Sequence, residues 1–527
     1  MLVVRCMSFD INDFDDPIVW DLICEGNTKG VFQLESSLGK HWAKEVKPKN
    51  IKELAALISL IRPGCLKARD ADGKSMTQVY ADRKAGKPNS PVEYLHESLE
   101  PILKETYGVL VYQEQSMMIA QQLAGFNLKE ADALRKAIGK KKADLMEKVK
   151  KTFLKGTAKK GIVTDEIAEE LFSWIEKSNR YAFNKSHAVS YAINAYWSAY
   201  CKAYRVEKFF NTYLNRADRK PKPDIEKKQL ISDAKRCGID VLPPRLQHLT
   251  EDFSIGSLDP PKLYYGLRHI KNVGSKEALA LDCSNKDEFV EYNWMDCLIK
   301  LIHGKKLNKR SVIALVSVGA FNGPNNRESR QRMLYEFDSW KQLSAREQQT
   351  IVDNYDDNKP KSLSEAITQM TKDIKVNSRR LPTVEDIVKS LDNPFYDLDD
   401  KAETMASDEE KFMSCALTCS KIDGIDLNVT TYACKDIANG TITGKANIAA
   451  EVVSVRTYKT KRGKNPGQLM AFLCVEDGTG TLDSVTVFPE CYDEHKDLLV
   501  ESNTLLIIGE VSKKDKCSLI ANQFSQI

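Results

Sequence analysis

A compact cluster of cations in residues 134–142 could bind phosphate groups. Arg135 and Lys136 end a helical run, and a glycine separates them from three further lysines, Lys140, Lys141 and Lys142. Arginine holds phosphate oxygens through two parallel hydrogen bonds, whereas lysine acts as a mobile point charge. The cluster therefore predicts a nucleoside triphosphate site. Because no GxxxxGK[ST] pattern precedes it, the predicted site is not a P-loop.

A second polar constellation lies in residues 182–187, directly before another helical stretch. Its candidate ligands are Asn184, Lys185, Ser186 and His187. Helix N-termini attract phosphates, and these side chains could add hydrogen bonds to a sugar or a base. The alternative is structural: Asn184 or Ser186 caps the helix and His187 is partly buried.

The positive charge of the chain is concentrated around the first cluster. Residues 129–160 hold twelve Lys or Arg and four Asp or Glu, whereas the whole chain has a formal net charge of only +4. One strongly basic segment in an otherwise mildly acidic chain indicates a phosphate-binding surface. A solvated helix face is the alternative interpretation of such a charge run.

The last eighty or so residues have the composition and spacing of β-strands. Five β-rich runs, separated by Gly, Asp and Asn, begin near residue 447 and fit a small OB-type barrel. The first loop of this region combines cations with an aromatic residue, and its candidate ligands are Arg456, Tyr458, Lys459, Lys461, Arg462 and Lys464. Cations can follow a single strand's backbone while a ring stacks on a base, although an exposed basic hairpin without a ligand has the same composition.

Helical spacing dominates the first half of the chain. A helix over residues 52–61 is expected to stop at the Arg-Pro-Gly of residues 62–64. Within the mostly helical segment 93–213, one stripe recurs every three or four residues and is expected to pack in a core. Its members are Val189, Ile193, Tyr196, Tyr200 and Tyr204. Residues 325–410 are polar with a weak apolar period, and this predicts a small helical piece and a mobile linker.

The composition excludes several classes of protein. Apolar residues make up 42% and charged residues 29% of the 527, an ordinary globular balance. No apolar run approaches the roughly 20 residues that span a bilayer, and no signal peptide is evident. The 13 cysteines are irregularly spaced, and the close pair Cys415 and Cys419 has no second pair to complete a zinc site. We therefore predict reduced thiols, a cytoplasmic location and no metal site in this chain.

Several motifs in a fixed order carry a family resemblance. They are GVFQLES (30–36), a helix ending in RPG, YGVLVYQEQSMMIAQQLAGF (107–126), ADALRKAIGKKK (131–142) and AFNKSHAVSYA (182–192). Together they resemble the fingers region of bacterial DNA polymerase III alpha subunits, and GIDVLPP (238–244) and YGLRHIKNVG (265–274) extend the similarity towards the barrel. The resemblance implies an α+β multidomain chain with mainly helical fingers, a helix-hairpin-helix middle region and a C-terminal five-stranded OB-type barrel. The expected boundaries are 1–40 for a palm–fingers connector, 41–218 for fingers, 219–325 for the duplex-binding region, 326–440 for the linker and 441–527 for the OB domain.

The resemblance also assigns roles to residues. Arg135 and Lys136 match the cations that contact the incoming dNTP, with Lys136 standing where the family commonly has Arg. Gln33, Glu35 and Lys40 fall near the palm–fingers junction, and Lys40 and Arg62 are expected to contact the dNTP. Arg62 matches the RPGP motif, although Cys65 replaces its last proline. Ser186 and His187 fall beside the nucleotide sugar, and we hypothesise that they help to reject ribonucleotides.

A hairpin in the middle region is expected to bind template–primer DNA. The segment 270–274 resembles the glycine turn of a helix-hairpin-helix, whose backbone N–H groups bind duplex phosphates. The residues assigned to this contact are Lys271, Asn272 and Gly274. A sliding clamp is a further expected partner, and Gln342-Leu343-Ser344 begins like a clamp-binding peptide, although Ala345-Arg346 replace its aromatic end.

No catalytic residue is expected in this chain. In the family, the palm carboxylates that hold Mg²⁺ precede the VFQLES segment, and Asp13, Asp15 and Asp16 instead match an acidic connector. The expected partner is therefore a palm-bearing polymerase part, and this chain alone is expected to be inactive. Either the polymerase is split between two genes, or the reading frame is truncated or interrupted. Split or interrupted genes would suit a phage, whose protein would act in the host cytoplasm. The rival prediction is a non-catalytic DNA-binding replisome scaffold, for which dNTP affinity is the discriminator.

Overall fold

The structure is a computed structural model, and it divides the chain into two compact units, Met1–Phe209 and Phe210–Ile527. It describes residues 10, 12–70, 72–140, 143–178, 182–283, 289–373, 376–423, 429–460, 466–501, 503–513 and 516–527, with the backbone alone at 138–140, 143–145 and 358. Among these residues, no helix combines the length and apolar character that crossing a membrane requires.

The first unit is helical. Its α-helices are α1 Pro17–Cys24, α2 Ser37–Val46, α3 Ile51–Leu60, α4 Pro63–Lys67, α5 Met76–Lys84, α6 Glu100–Leu103, α7 Gln113–Ala124, α8 Leu128–Lys140, α9 Ala143–Lys160, α10 Asp165–Ser178 and α11 Lys185–Tyr204. Short 3₁₀ turns occupy Glu97–Leu99 and Lys104–Thr106. As predicted, α3 ends just before the Arg-Pro-Gly segment, but Pro63 then begins the short α4, since proline fits the first turn of a helix.

Two hydrophobic cores organise this unit. In the first core, α11 packs against α3 and α1 through four alanines that are fully buried, Ala188, Ala192, Ala195 and Ala199. Tyr196 of the predicted stripe is fully buried among them, so the core interpretation of that stripe is confirmed. The second core joins α7, α8, α9 and α10 around Phe153 and Phe172. Helix α12, Val206–Leu214, begins in the first unit and ends in the second.

The second unit combines helices with a small sheet. Its helices are α13 Pro223–Arg236, α14 Ser275–Leu281, α15 Trp294–Asp296, α16 Lys309–Ser317, α17 Arg330–Gln342, α18 Ala345–Asp353, α19 Tyr355–Asn358, α20 Leu363–Asp373, α21 Leu381–Asp392, α22 Ala402–Met413, α23 Cys434–Ala438 and α24 Pro489–His495. A π-helical stretch, Cys297–His303, follows α15 directly, and 3₁₀ turns lie at Ala217–Arg219, Leu246–His248 and Leu267–His269. Strands β1 Asp240–Leu242, β2 Ser254–Leu258 and β3 Pro261–Tyr264 form a sheet in the order β1-β3-β2.

The C-terminal part is a closed five-stranded barrel, as predicted. Its strands are β4 Lys445–Lys459, β5 Leu469–Asp477, β6 Gly480–Val487, β7 Thr504–Val511 and β8 Leu519–Gln526. They close in the order β4-β5-β6-β8-β7, with β6 and β8 parallel and the other pairs antiparallel. This order is a Greek key, the topology of OB barrels. Alternate residues such as Ile448, Leu473 and Val485 fill the interior.

The barrel contacts α13 through one polar stripe of that helix. Lys228 Nζ lies 2.9 Å from a Glu476 carboxylate oxygen. One turn further along, Ser232 Oγ lies 2.8 Å from Thr481 Oγ1. The spacing of four puts both residues of α13 on one face. The second unit therefore links its middle region to the barrel by hydrogen bonds and an ion pair.

The mobile linker predicted after residue 325 is wrong for the described residues. Helices α17, α18, α20, α21 and α22 occupy this region, and they bury Phe337, Trp340, Ile351 and Ile367. The apolar period of these helices is weak because part of their packing is polar, and the sequence pattern therefore did not predict them. Arg330 and Glu409, for example, form a buried ion pair of 2.8 Å between α17 and α22. The predicted domain boundaries themselves stay predictions.

Candidate nucleotide and nucleic-acid sites

The start of α11 is held beside the start of α7 by a short parallel pairing. Tyr112 and Phe183 form an isolated β-bridge. The Phe183 N–H donates to the Val111 carbonyl at 3.1 Å, and the Gln113 N–H donates to the Phe183 carbonyl at 3.0 Å. Two motifs that lie about 70 residues apart, VYQEQ and FNKSH, are thereby brought together.

Glu114 links the starts of α7 and α11 by hydrogen bonds. The Asn184 amide donates to Glu114 Oε1 at 2.7 Å, and the Lys185 backbone N–H donates to Glu114 Oε2 at 3.0 Å. Lys185 Nζ forms an ion pair of 2.9 Å with Glu105. Asn184 also caps α11, because its Oδ1 accepts the His187 N–H at 2.9 Å. The structural alternative is therefore correct for Asn184, whereas His187 and Ser186 are exposed.

A row of aromatic rings extends from these helix starts across the surface of the first unit. Tyr191 stacks obliquely between His187 and Phe32, with ring centroids 4.1 Å and 5.0 Å away. His187 also contacts Phe183 at 5.2 Å. We call Phe32, Tyr191, His187 and Phe183 the aromatic row. Arg62 ends this row, since its guanidinium carbon lies 3.6 Å from the centre of the Phe183 ring.

The aromatic row brings together three of the sequence motifs. Phe32 belongs to GVFQLES, Arg62 to the RPG segment, and His187 to FNKSH. The sequence motifs predicted functional roles for Arg62 and His187 but not for the rings between them. The signal was present in part, because Phe183, His187 and Tyr191 recur every four residues, the spacing of one helical face.

Arg135 and Lys136 lie on α8, which packs in the second core, and both bind Asp132. Arg135 donates from Nε and Nη2 to Asp132 Oδ1 at 2.9 Å and 2.8 Å. Lys136 Nζ lies 2.7 Å from Asp132 Oδ2. Hydrogen bonds from Lys136 and Arg135 hold the pKa of Asp132 below its usual value. The predicted Lys141 and Lys142, and the side chain of Lys140, lie outside the described residues.

The segment predicted near the palm–fingers junction forms a tight turn into α2. Gln33 is exposed and adopts a positive φ of 64°, and Ser36 caps α2 by accepting the Gly39 N–H at 3.1 Å. Glu35 and Lys40 are half-buried on either side of this cap. This turn sets the direction in which the chain enters α2. It does not test the role predicted for Lys40.

The acidic residues before α1 serve local structure. Asp16 caps α1 by accepting the Ile18 N–H at 2.9 Å, and its other oxygen accepts the Tyr204 hydroxyl at 2.7 Å. Asp13 accepts the Asp15 N–H at 3.0 Å. Within the parts of the chain that the structure describes, no group of three or more His, Cys, Asp or Glu could hold a metal ion. The Asp13 and Asp16 carboxylates are thus already engaged by backbone N–H groups and the Tyr204 hydroxyl.

The predicted hairpin of the middle region is present, with a different residue at its tightest point. Asn272 adopts a positive φ of 72°, whereas Gly274 has an ordinary φ of −81° and begins α14 as its N-cap. A Cβ at position 274 would meet only Glu277 Oε2, at 2.7 Å, and this end of a flexible side chain could move aside. The first arm of the hairpin is only a 3₁₀ turn, Leu267–His269. The Lys271 N–H donates to the Phe412 carbonyl at 2.8 Å, and this fixes the hairpin against α22.

A second hairpin, which the sequence reading missed, lies beside the first. Lys306 adopts a positive φ of 56° between the π-helical stretch and α16, and Asn308 caps α16. The Asn308 amide donates to Glu277 Oε1 at 2.8 Å, and Ser311 Oγ donates to the Asn272 carbonyl at 2.7 Å. An open groove runs between the two turns. The exposed cations that the second hairpin adds are Lys305, Lys306, Lys309 and Arg310.

On the barrel, the described part of the predicted ligand set lies on the outer side of β4. Arg456 is paired across strands with Phe472 of β5, which in turn is paired with Thr486 of β6. Tyr458 and Phe472 are 44% and 38% exposed, so a cation and two rings share this surface. Lys459 ends β4 and is exposed. Lys461, Arg462 and Lys464 lie outside the described residues.

The segment that resembles the start of a clamp-binding peptide is folded into a helix corner. Leu343 is 5% exposed between α17 and α18. Ser344 and Glu347 form a capping box at the start of α18, with the Ser344 N–H donating to Glu347 at 2.7 Å. Leu343 is therefore not presented to a partner in this conformation.

Two family models match the chain in the regions that the motifs indicate. Residues 5–161 match the finger domain of the bacterial DNA polymerase III alpha subunit. Residues 238–333, which include both hairpins, match a helix-hairpin-helix motif. These two matches indicate the class of bacterial-type replicative DNA polymerases.

Curated relatives identify the family more closely. The DNA polymerase III subunit alpha of Aquifex aeolicus is 34% identical over 516 residues, which cover 96% of this chain and 39% of the relative. The subunit of the same name from Escherichia coli K12 is 30% identical over 518 residues, 95% of this chain and 40% of the relative. That from Thermus aquaticus is 35% identical over 324 residues, 61% of this chain and 25% of the relative. The resemblance is confirmed: this chain corresponds to a C-terminal portion of DNA polymerase III alpha, and it spans about two fifths of the length of such relatives.

Proposed function

We propose that this chain is the fingers and DNA-handling part of a replicative DNA-directed DNA polymerase. It binds an incoming dNTP and template–primer DNA, and it works with a palm part that lies outside these residues. The observation that carries this proposal is the meeting of three separated polymerase motifs in the aromatic row and Arg62. Because ring faces and a guanidinium form a continuous surface, that surface suits a base or a sugar beside a phosphate.

The nucleotide contacts divide between two places. Arg135 and Lys136 take the triphosphate, because their hydrogen-bond donors are already gathered at one half-exposed carboxylate, Asp132. The aromatic row takes the sugar or base side, with the exposed His187 and Ser186 beside it. Lys185 contributes to position rather than to charge, since Glu105 already neutralises it.

Template–primer DNA binds along the second unit in this proposal. The two hairpin turns carry exposed cations, among them Lys306 and Arg310, and this positive charge suits phosphates of a duplex. The outer barrel surface around Arg456, Tyr458 and Phe472 suits a single strand, because rings can stack on its bases.

Metal chemistry is assigned to the palm part. Nucleotidyl transfer needs carboxylates that hold Mg²⁺ against the primer hydroxyl and the triphosphate. The acidic residues Asp13 and Asp16 before α1 are engaged in a turn and a helix cap. The curated relatives are more than twice as long as this chain, and their remaining length has room for such a part.

Binding of dNTP separates this proposal from a non-catalytic scaffold. Arg135→Ala should weaken dNTP binding by the full chain about tenfold or more, because it removes a charge-assisted, two-point phosphate contact. Lys104→Ala, which removes another exposed ion-paired lysine of the first unit, is the matched control and should leave affinity unchanged. Unchanged affinity in Arg135→Ala, or no dNTP binding by the parent chain, would favour the scaffold.

The need for a palm is tested by primer extension. With Mg²⁺ and a primer–template, this chain alone should not extend a primer, whereas a mixture with a palm-bearing DNA polymerase III alpha part should. Extension by this chain alone contradicts the assignment of the metal site to another part. An inactive mixture, with both parts folded, contradicts complementation between them.

A further inference from the structure

One face of α9 carries lysines at helical spacing. Val149, Phe153 and Thr157 are buried on the side that packs in the second core. The exposed side carries a row of cations three or four residues apart, which we call the α9 lysine stripe: Lys148, Lys151, Lys155 and Lys159. The spacing places all four on one helix face.

The stripe is displayed on a firmly held helix. At Gly156, α9 approaches α7 so closely that a Cβ would lie 2.1 Å from the Ala124 carbonyl oxygen. The Phe153 ring contacts Phe172 and Phe126 at centroid distances of 5.4 Å and 6.2 Å. Since the buried side is fixed, the lysine row keeps its direction in the unit, and only the side chains need to adjust to a ligand.

The charges of this helix are unbalanced. Helix α9 contains six lysines but only two acidic residues, Asp144 and Glu147. Glu147 pairs with Lys151 at 2.8 Å. The neighbouring lysines of the stripe are four residues apart at Lys151, Lys155 and Lys159, a spacing at which like charges repel. Charges of alternating sign indicate a solvent-exposed, ion-paired helix face, and apart from the Glu147–Lys151 pair this face lacks that alternation.

We propose that the α9 lysine stripe binds the sugar–phosphate backbone of DNA. The stripe is about 16 Å long at 1.5 Å per residue. It therefore spans the axial rise of roughly five base pairs of a B-form duplex, at about 3.4 Å each, and so brings its lysines within reach of several phosphates. This binding site deepens the proposed function, on which it rests. It lies on a different helix from Arg135 and Lys136.

The stripe does not discriminate between DNA base sequences. Its exposed positions between Lys148 and Lys159 include Thr152 and Ala158 but no aromatic ring that could stack on a base. Lysine contacts phosphate as a point charge and gives little direction to the bond. The contact is therefore electrostatic, sensitive to salt and equal for all sequences.

The test is the salt dependence of DNA binding by the full chain. Affinity for a labelled primer–template is measured across NaCl concentrations for the parent and for K148Q/K155Q/K159Q. The plot of log K against log salt should become shallower by about 2 to 3 in this variant. Each lost phosphate contact removes roughly 0.9 from the slope for duplex and 0.7 for a single strand.

Two controls make the result specific. K52Q/K104Q/K177Q removes three exposed lysines of the same unit outside α9, and it should retain the parental slope. K148R/K155R/K159R keeps the charge and should also retain it. An unchanged slope in the α9 glutamine variant, with parental DNA and dNTP binding intact, overturns this inference alone. If the parent chain binds no DNA, the proposed function fails together with the inference.

Discussion

Asp132 lies between the two cations that we assign to the triphosphate. Its two carboxylate oxygens accept hydrogen bonds from Arg135 and Lys136 in the structure. A triphosphate must therefore share or displace this carboxylate when it binds. The sequence pattern drew attention to the cations alone. Asp132, three residues before Arg135 and four before Lys136, is the acidic partner that it did not predict.

This arrangement predicts that Asp132→Asn tightens dNTP binding by roughly two- to tenfold at low salt, because a competing negative charge is removed. The measurement is a dNTP titration at two salt concentrations, and the gain should shrink at the higher one. Asp165→Asn, at the exposed start of α10, is a control for net charge. Weaker binding in Asp132→Asn would mean that the carboxylate positions the cations instead of competing for them.

Glu336 on α17 is a buried carboxyl whose ionisation opposes folding. Burial raises the pKa of Glu336 to about 7, although Trp294 Nε1 donates to it at 2.9 Å and Arg332 lies 3.7 Å away. Because the folded pKa lies above the unfolded value near 4.5, the fold favours the protonated form. The penalty is absent below about pH 4.5, grows as pH rises and is complete above about pH 7.

Glu336→Gln is therefore expected to stabilise the chain by about 1 to 3 kcal/mol at pH 8 and to change stability little at pH 4.5. Glutamine keeps the acceptor for Trp294 and removes the charge. Urea unfolding at both pH values measures the difference. An equal effect at the two pH values would show that packing, and not ionisation, determines the change.

At the scale of elements, the first unit depends on one close helix contact. Gly156 of α9 faces the Ala124 carbonyl of α7, and the second core fills the space on either side. A glycine within a helix normally costs about 1 kcal/mol relative to alanine. Its presence here is explained by the space between the helices, since no larger residue fits without separating them.

Gly156→Ala should therefore destabilise the first unit by about 1 to 3 kcal/mol, although alanine is the better helix former. Thermal unfolding followed by circular dichroism measures this change. Thr152→Ala, on the exposed side of the same helix, should change stability by less than about 0.5 kcal/mol. A stabilised Gly156→Ala variant would contradict the close approach of α7 and α9.

At the scale of the whole molecule, the second unit relies on a buried ion pair as well as on apolar cores. Arg330 of α17 and Glu409 of α22 are both almost fully buried, with their charged atoms 2.8 Å apart. Arg330 also donates to the Ser317 carbonyl at the end of α16, at 2.8 Å. Glu409 accepts the Leu417 and Thr418 N–H groups. One pair thus joins three helices and the segment after α22.

Arg330→Met should destabilise the chain by about 3 to 5 kcal/mol, because it leaves the Glu409 charge buried without its partner. The double variant R330M/E409Q should recover part of this loss, since glutamine keeps an acceptor but no charge. A double-mutant cycle in urea unfolding measures the coupling. Additive effects of the two changes would contradict a strong interaction between these side chains.

Much of the fold could be predicted from local patterns. The barrel strands alternate apolar and polar residues, so their number and faces can be read directly, as Leu473 and Val485 illustrate. The alanine and tyrosine stripe of α11 likewise identifies its core face. The helices after residue 325 were not predicted, because their buried residues include charged pairs such as Arg330 and Glu409. In a sequence, charged residues of this kind indicate a surface position.

The sequence by itself determined the family, the order of the motifs and the types of the elements, because these depend on residues close together in the chain. Only the tertiary structure decided which motifs meet. It brought Phe32, Arg62 and His187 into one surface and set the second hairpin against the first. It also placed four lysines of the basic segment in one exposed row on α9. The physical reason is that contacts between distant residues depend on how cores pack, and no local spacing records that packing.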